Sequence, residues 1–207
     1  MKKLIFCAAF LVITRPALSQ NLLVNGDFND PESGAAATSW TTWSYGGGWA
    51  NHENNPGVTL NGSYYLVNGG FANAGGGQFQ VVPGSAGLGY TLTVDSGADT
   101  WWLPYGEMRL FFLDADSNPL AQNFRGTVDP AVYGQNYDIA HPWANYSLTA
   151  VAPDGTTQVK VEFSSPTGTG SVWFENAMLT VVPEPGVSAL MLLCGAIVVG
   201  ARKKFRV

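Results

Sequence analysis

Seven tryptophans and eight tyrosines in a chain of 207 residues supply its most usable chemistry. The flat C–H face of a sugar stacks on an aromatic ring, while its hydroxyls need partners such as Asn, Gln and Asp. The rings gather in three segments: Trp40, Trp43, Tyr45 and Trp49; Trp101, Trp102 and Tyr105; and Tyr133, Tyr137, His141 and Trp143. The last two segments read as long stretches between strands, where binding residues are commonly carried. Adjacent Trp101 and Trp102 cannot both point inward on an extended chain, so at least one faces out. Trp43, Trp49, Trp101, Trp102, Tyr105, Tyr133, Tyr137 and Trp143 are therefore the candidate ligand contacts. Packing at the edges of a sandwich is the competing reading for any one of them, and Trp173, on a closing strand, reads as core or sheet packing.

The pattern carries no catalytic constellation. His52 and His141 are the only histidines, and neither has metal-ligand spacing or a GxSxG elbow beside it, so both read as loop residues. Glycoside hydrolysis needs two carboxyls flanking one bond, and no pair of acids stands out. The glycine runs 46–48 and 75–77 lack the Lys-Ser/Thr of a phosphate loop and read as flexible loops. The run Asp114-Ala115-Asp116-Ser117-Asn118 begins like a calcium loop. Pro119 replaces that loop's glycine, however, and Arg125 stands where its closing glutamate belongs, so the segment reads as a hairpin turn between Leu113 and Leu120.

The elements that must position these residues alternate with period two. Tyr90, Leu92 and Val94 interleave with Thr91, Thr93 and Asp95; Met108, Leu110 and Phe112 interleave with Glu107, Arg109 and Phe111. Tyr146, Leu148 and Ala150 repeat the pattern, as do Val159, Val161 and Phe163, with Lys160 and Glu162 on the opposite face. Turn-forming clusters at 114–119, 153–155 and 165–171 separate these runs. No amphipathic helix shows between the two ends of the chain. Many short strands without βαβ alternation predict an all-β, antiparallel two-sheet sandwich over residues 20–181, with 181–185 as the linker that follows.

The two ends read as addresses. Lys2 and Lys3, an apolar run from Leu4 to Ile13, and small residues before a cut between Ser19 and Gln20 make residues 1–19 a signal peptide for signal peptidase. Residues 182–207 hold an apolar run from Gly186 to Ala201 and a basic end. About 16 residues at about 1.5 Å each cover about 24 Å, short of the roughly 30 Å hydrocarbon core. Lys and Arg behind this run hold the terminus on the cytoplasmic side, so the residues before it lie outside.

Arg109, Arg125 and Lys160 are the only cations between the two addresses, against fifteen acids that run from Asp27 to Glu184. Such a field repels phosphate backbones and disfavours nucleic acid as a partner, while leaving neutral sugars and cations welcome. Cys7 and Cys194 both fall in the addresses, so the domain is expected to have no disulfide and to depend on a true core.

The tail resembles the PEP-CTERM sorting signal, with Pro183, Glu184 and Pro185, then the apolar helix, then Arg202, Lys203, Lys204 and Arg206 in order. That resemblance implies an exosortase-type membrane protease as partner and delivery to the cell surface or its exopolysaccharide after a transient stay in the membrane. The competing reading is an ordinary anchor. The segments NLLVNGDFN, GQFQVVPGSAGLGYTLTV, EMRLFFLDADSNPL and WANYSLTAVAPDGTTQVKVEF, then GSVWFENAML, resemble a jelly-roll carbohydrate-binding module of the CenC type. The family implies a galactose-binding-like sandwich, neutral glycans as frequent ligands, and often a structural calcium near the chain ends. By position its ligands would be Asn29, Glu175 and Asn176, with solvent exposure of the last pair as the alternative. The expectation is an exported, non-catalytic surface or matrix protein binding neutral glycan or exopolysaccharide. The alternatives are a structural matrix protein with no specific ligand and, less favoured, a small glycan-active enzyme.

Overall fold

The computed structural model describes residues 20–30, 36–55, 58–60, 64–71, 73–99, 103–128, 141–167 and 169–182. Ser19, Trp101, Trp102, Tyr133, Tyr137 and the sorting residues from Pro183 to Arg206 lie outside them. Ten strands run through the described residues: β1 (Thr41–Tyr45), β2 (Trp49–Glu53), β3 (Tyr65–Gly70), β4 (Gly75–Pro83), β5 (Gly89–Ala98), β6 (Gly106–Leu113), β7 (Pro119–Val128), β8 (His141–Val151), β9 (Gln158–Ser165) and β10 (Gly170–Val182). They form two five-stranded antiparallel sheets, ordered β1-β4-β9-β6-β7 and β2-β3-β10-β5-β8. The chain crosses between the sheets at β1–β2, β3–β4, β4–β5, β5–β6, β7–β8, β8–β9 and β9–β10, giving a jelly-roll sandwich. Among the described residues there is no helix.

The period-two pattern becomes the interior. Leu92, Val94, Met108, Leu110, Phe112, Val159, Val161 and Phe163 are fully buried between the sheets, as are Val172, Phe174 and Leu179 of β10. At about 1.5–3 kcal/mol for each large apolar side chain withdrawn from water, this interior is the main favourable term holding the domain. One end is plugged by aromatics: Phe163 packs edge-on against Phe28 at 6.4 Å and lies 5.1 Å from Phe174, while Trp40 sits 5.2 Å from Phe28. Trp40 is thus core, 5% exposed.

The opening segment lies along the closing strand. The Asn21 side chain donates to Ala177 O and accepts from the Leu179 amide, and the Ala177 amide donates to Gly26 O. Gln80 grips both backbone groups of Val24.

Three sequence readings change. Residues 75–77 are not a flexible loop but the buried start of β4, in register with β1 and β9. His52 and His141 belong to strands β2 and β8 rather than loops, and His52 is buried with its Nε2 2.8 Å from Phe28 O. Finally, β10 pairs with β5 as far as Val182, so the proposed linker begins inside the sandwich. The hairpin reading of 114–119 holds: Asp114 Oδ1 accepts from the amides of Asp116 and Asn118. Those bonds, led by the one from Asn118, hold the Asp114 carboxyl below its ordinary pKa.

Candidate functional site: an aromatic platform on one sheet face

Four strand positions at the β1 edge, Trp43, Tyr45, Gly75 and Gly77, decide where a flat ligand can lie. In the first sheet, Trp43 is opposite Gly77 and Tyr45 is opposite Gly75. A Cβ on Gly77 would meet Cε2 and Cζ2 of Trp43 at 2.7 Å, and one on Gly75 would meet Cε1 of Tyr45 at 3.1 Å. Both side chains therefore lie across the neighbouring strand instead of standing up from it. The Tyr45 hydroxyl donates to Pro166 O, past the end of β9. The two rings are within 4° of parallel, with centroids 6.1 Å apart, and Tyr45 is 47% exposed. Two parallel rings over the outer face of a sheet offer aromatic surface of the kind on which the C–H faces of a sugar stack.

Polar groups flank it on the same face. Glu107 is opposite Ser164 in register; its Oε1 accepts from the Tyr105 hydroxyl at 2.6 Å and its Oε2 from Arg109. Glu162 pairs with Lys160 at 2.7 Å, and Lys160 Nζ lies 4.3 Å from the ring centre of Phe79 and 4.7 Å from that of Phe111. Two cations and two carboxylates thus neutralise one another beside the platform. These carboxylates are engaged in ion pairs, which suits hydrogen bonding to hydroxyls better than proton transfer.

The opposite sheet has a different character. Across its outer face run Glu53, Tyr65, Glu175, Asp95 and Asn145, and above them Val67, Trp173 and Trp143. Trp143 lies over Gly97, and its Nε1 donates to Val58 O; the Leu60 amide donates to Glu175 Oε1. Residues 58–60 therefore fold over this part of the face. Tyr65 is 2% exposed and Glu175 1%. Burial pushes the Glu175 carboxyl up, and burial with the neighbouring Glu53 carries the Tyr65 hydroxyl to about 12. Trp173, at 6.1 Å from Trp143 and 6.3 Å from Tyr65, packs on the sheet as its sequence position suggested.

The four aromatic candidates among the described residues accordingly do not converge. Trp43 and Tyr105 belong to the first sheet's face; Trp49 and Trp143 belong to the other, and Trp143 stands on β8 rather than in a connection. Trp101, Trp102, Tyr133 and Tyr137 fall outside the described residues. Reading by segment kept Trp43 and Trp49 together, yet the turn at Gly46 and Gly47, with φ of 63° and 84°, sends them to opposite sheets.

The calcium candidates hold separate protein partners. Asn29 Oδ1 accepts from the Tyr64 amide and its Nδ2 donates to Asp27; Glu175 holds Leu60; Asn176 donates to Asp95. Asn176, at φ 54°, is the extra residue of a bulge between Glu175 and Met178. Calcium takes about six to eight oxygens, and one buried carboxylate with two amides so engaged falls short of that set. Among the described residues no three of His, Cys, Asp and Glu gather as metal ligands.

No protein-family model matches the sequence, and no curated protein matches it. Solved structures do. The enzymatically active domain of tailspike protein 4 from bacteriophage CBA120 superposes with a TM-score of 0.59 at 17% identity, covering 78% of this chain and 21% of that one. TmCBM61, solved in complex with β-1,4-galactotriose, gives 0.50 at 14% identity, covering 79% of this chain and 100% of that one. The CBM22-1 xylan-binding domain of Paenibacillus barcinonensis Xyn10C gives 0.51 at 12% identity, with 79% and 96% covered. The chain spans about a fifth of the tailspike domain but nearly the whole of both modules. At these identities the likeness is one of fold: the described domain is a jelly-roll sandwich of the kind found in carbohydrate-binding modules.

Proposed function

We propose that the sandwich is a non-catalytic glycan-binding domain whose ligand lies across the outer face of the β1-β4-β9-β6-β7 sheet. The carrying observation is the parallel Trp43–Tyr45 pair, leaning over bare glycines on the adjacent strand, with Tyr45 exposed and Trp43 half-buried. Trp43 and Tyr45 stack on the sugar, and Tyr105, Glu107 and Arg109 meet its hydroxyls. The balanced charges of this face, inside a strongly anionic domain, favour neutral glycan or exopolysaccharide over uronates and sulfated chains. The module-like fold supports the reading.

In the same proposal, signal peptidase removes residues 1–19, and the tail carrying Pro183, Glu184 and Pro185 is held in the membrane until an exosortase-type protease delivers the domain to the surface or matrix. Mass spectrometry of the protein from its host tests this: a chain still ending at Val207 overturns the processing. A glycan-array screen tests the binding, with hits concentrated among uncharged polysaccharides expected.

A structural matrix role without a ligand is the second reading. It draws on Trp40, Tyr65 and Trp173, whose rings are spent on packing. An array without hits from a folded protein favours it.

A further inference from the structure

The sandwich repeats the Trp43 arrangement on its other side. β1 and β2 are edge strands of opposite sheets, joined through Gly46 and Gly47. On β2, Trp49 is opposite Gly69 of β3, and a Cβ on Gly69 would lie 2.7 Å from Trp49 Cε2 and Cζ2. The atoms and the distance are those of Trp43 over Gly77. Each sheet thus leaves a glycine bare beneath an edge-strand indole, so that the ring lies along the sheet.

The ring is extended by Phe71, 58% exposed, whose centroid is 5.4 Å from that of Trp49 at 68°. Asn51, two residues along β2, and Ser171, opposite Gly69 on β10, share this face and are half-buried. An amide and a hydroxyl therefore lie beside two rings set at 68° to one another, the combination a sugar needs. The cover formed by residues 58–60 engages Trp143 and Glu175, which lie in rows further along the sheet.

Charge restricts the ligand. Among the described residues the cations Arg109 and Lys160 belong to the first sheet's outer face, and Arg125, on β7, donates to Ser147 O. The face bearing Trp49 instead carries Glu53, Asp95 and Glu175. A carboxylated or sulfated sugar would meet repulsion with no compensating cation.

We infer that Trp49, with Phe71, Asn51 and Ser171, forms a second subsite for uncharged glycan, so that one domain holds two glycan chains back to back and bridges them. The inference rests on the reading of Trp43 and Tyr45 as a glycan platform and adds a separate site to it.

Bridging is measured directly with full-length protein captured on beads bearing an uncharged polysaccharide, β-1,4-galactan or xylan, and then offered the same polysaccharide in fluorescent form. Wild-type protein recruits the soluble chain. Trp49→Ala keeps capture and lowers recruitment about tenfold, the loss of one stacked ring. Phe71→Ser, at an exposed position that leaves the core intact, lowers recruitment in the same direction, and circular dichroism confirms the fold of both. Unchanged recruitment in both variants overturns the second subsite while leaving the first intact. Failure of wild-type protein to be captured by any uncharged polysaccharide overturns the binding reading and the second subsite with it.

Discussion

The indole of Trp43 occupies the space that a side chain at residue 77 would fill. A methyl group there would stand 2.7 Å from the ring and 2.8 Å from Ser164 Cβ, so Gly77→Ala must lift the ring or part β4 from β9. Overpacking of this kind costs about 1–3 kcal/mol. The variant is expected to melt below wild type and to retain glycan less well, because a lifted indole no longer lies parallel to Tyr45. Thermal melts beside a retention assay check both; retention equal to wild type would mean that the flat pose of Trp43 is immaterial.

High pH should weaken the fold through Tyr65. Its hydroxyl is buried beside Glu53, and its pKa stands at about 12 against an ordinary 10.0. A raised tyrosine pKa means that the neutral form is favoured in the fold. Its contribution is complete below about 10 and is lost as pH rises toward about 12. Tyr65→Phe, which cannot ionise, is expected to flatten the fall in melting temperature across that window. An equally steep fall in the variant would place the alkaline sensitivity elsewhere.

Glu175 behaves in the same sense at lower pH. Burial raises its pKa, so its charge is disfavoured in the folded state; stability is greatest below the ordinary value of 4.5 and declines as pH rises through the higher folded value. Glu175→Gln keeps an acceptor for the Leu60 amide and removes the charge. The variant is expected to match or exceed wild-type stability at neutral pH, read by chemical denaturation. A large loss would show that Leu60 requires a carboxylate.

The strands were legible because their facing residues alternate without interruption, as in Met108, Leu110 and Phe112, and each buries the face the alternation assigns. The pattern fails where geometry is not periodic. In β10 the bulge at Asn176 puts both Phe174 and Ala177 inside, three positions apart, and nothing in the letters announces the extra residue. Residues 75–77 looked like loop because glycine disfavours strands; here their bareness makes room for Trp43 and Tyr45, which lie 34 and 30 residues before their partners Gly77 and Gly75. The same long-range pairing separates Trp43 from Trp49. A site built by register between distant strands leaves its mark as scattered glycines, which become informative once the pairing is known.

Calcium removal makes a further test. Asn29, Glu175 and Asn176 are each engaged by protein donors or acceptors, so excess chelator is expected to leave the melting midpoint where it was. A drop of several degrees, reversed by added calcium, would show that these groups rearrange around an ion.

Affinity electrophoresis through gels containing an uncharged polysaccharide identified by the array screen tests the central claim most directly. Wild-type protein should be retarded, equally at low and high salt, because stacking rather than ion pairing holds the chain. Replacing the platform with Trp43→Ala and Tyr45→Ala should abolish the retardation assigned to the first sheet, leaving at most the share lost with Trp49→Ala. Full retardation in a folded protein lacking both Trp43 and Tyr45 rings would contradict the account.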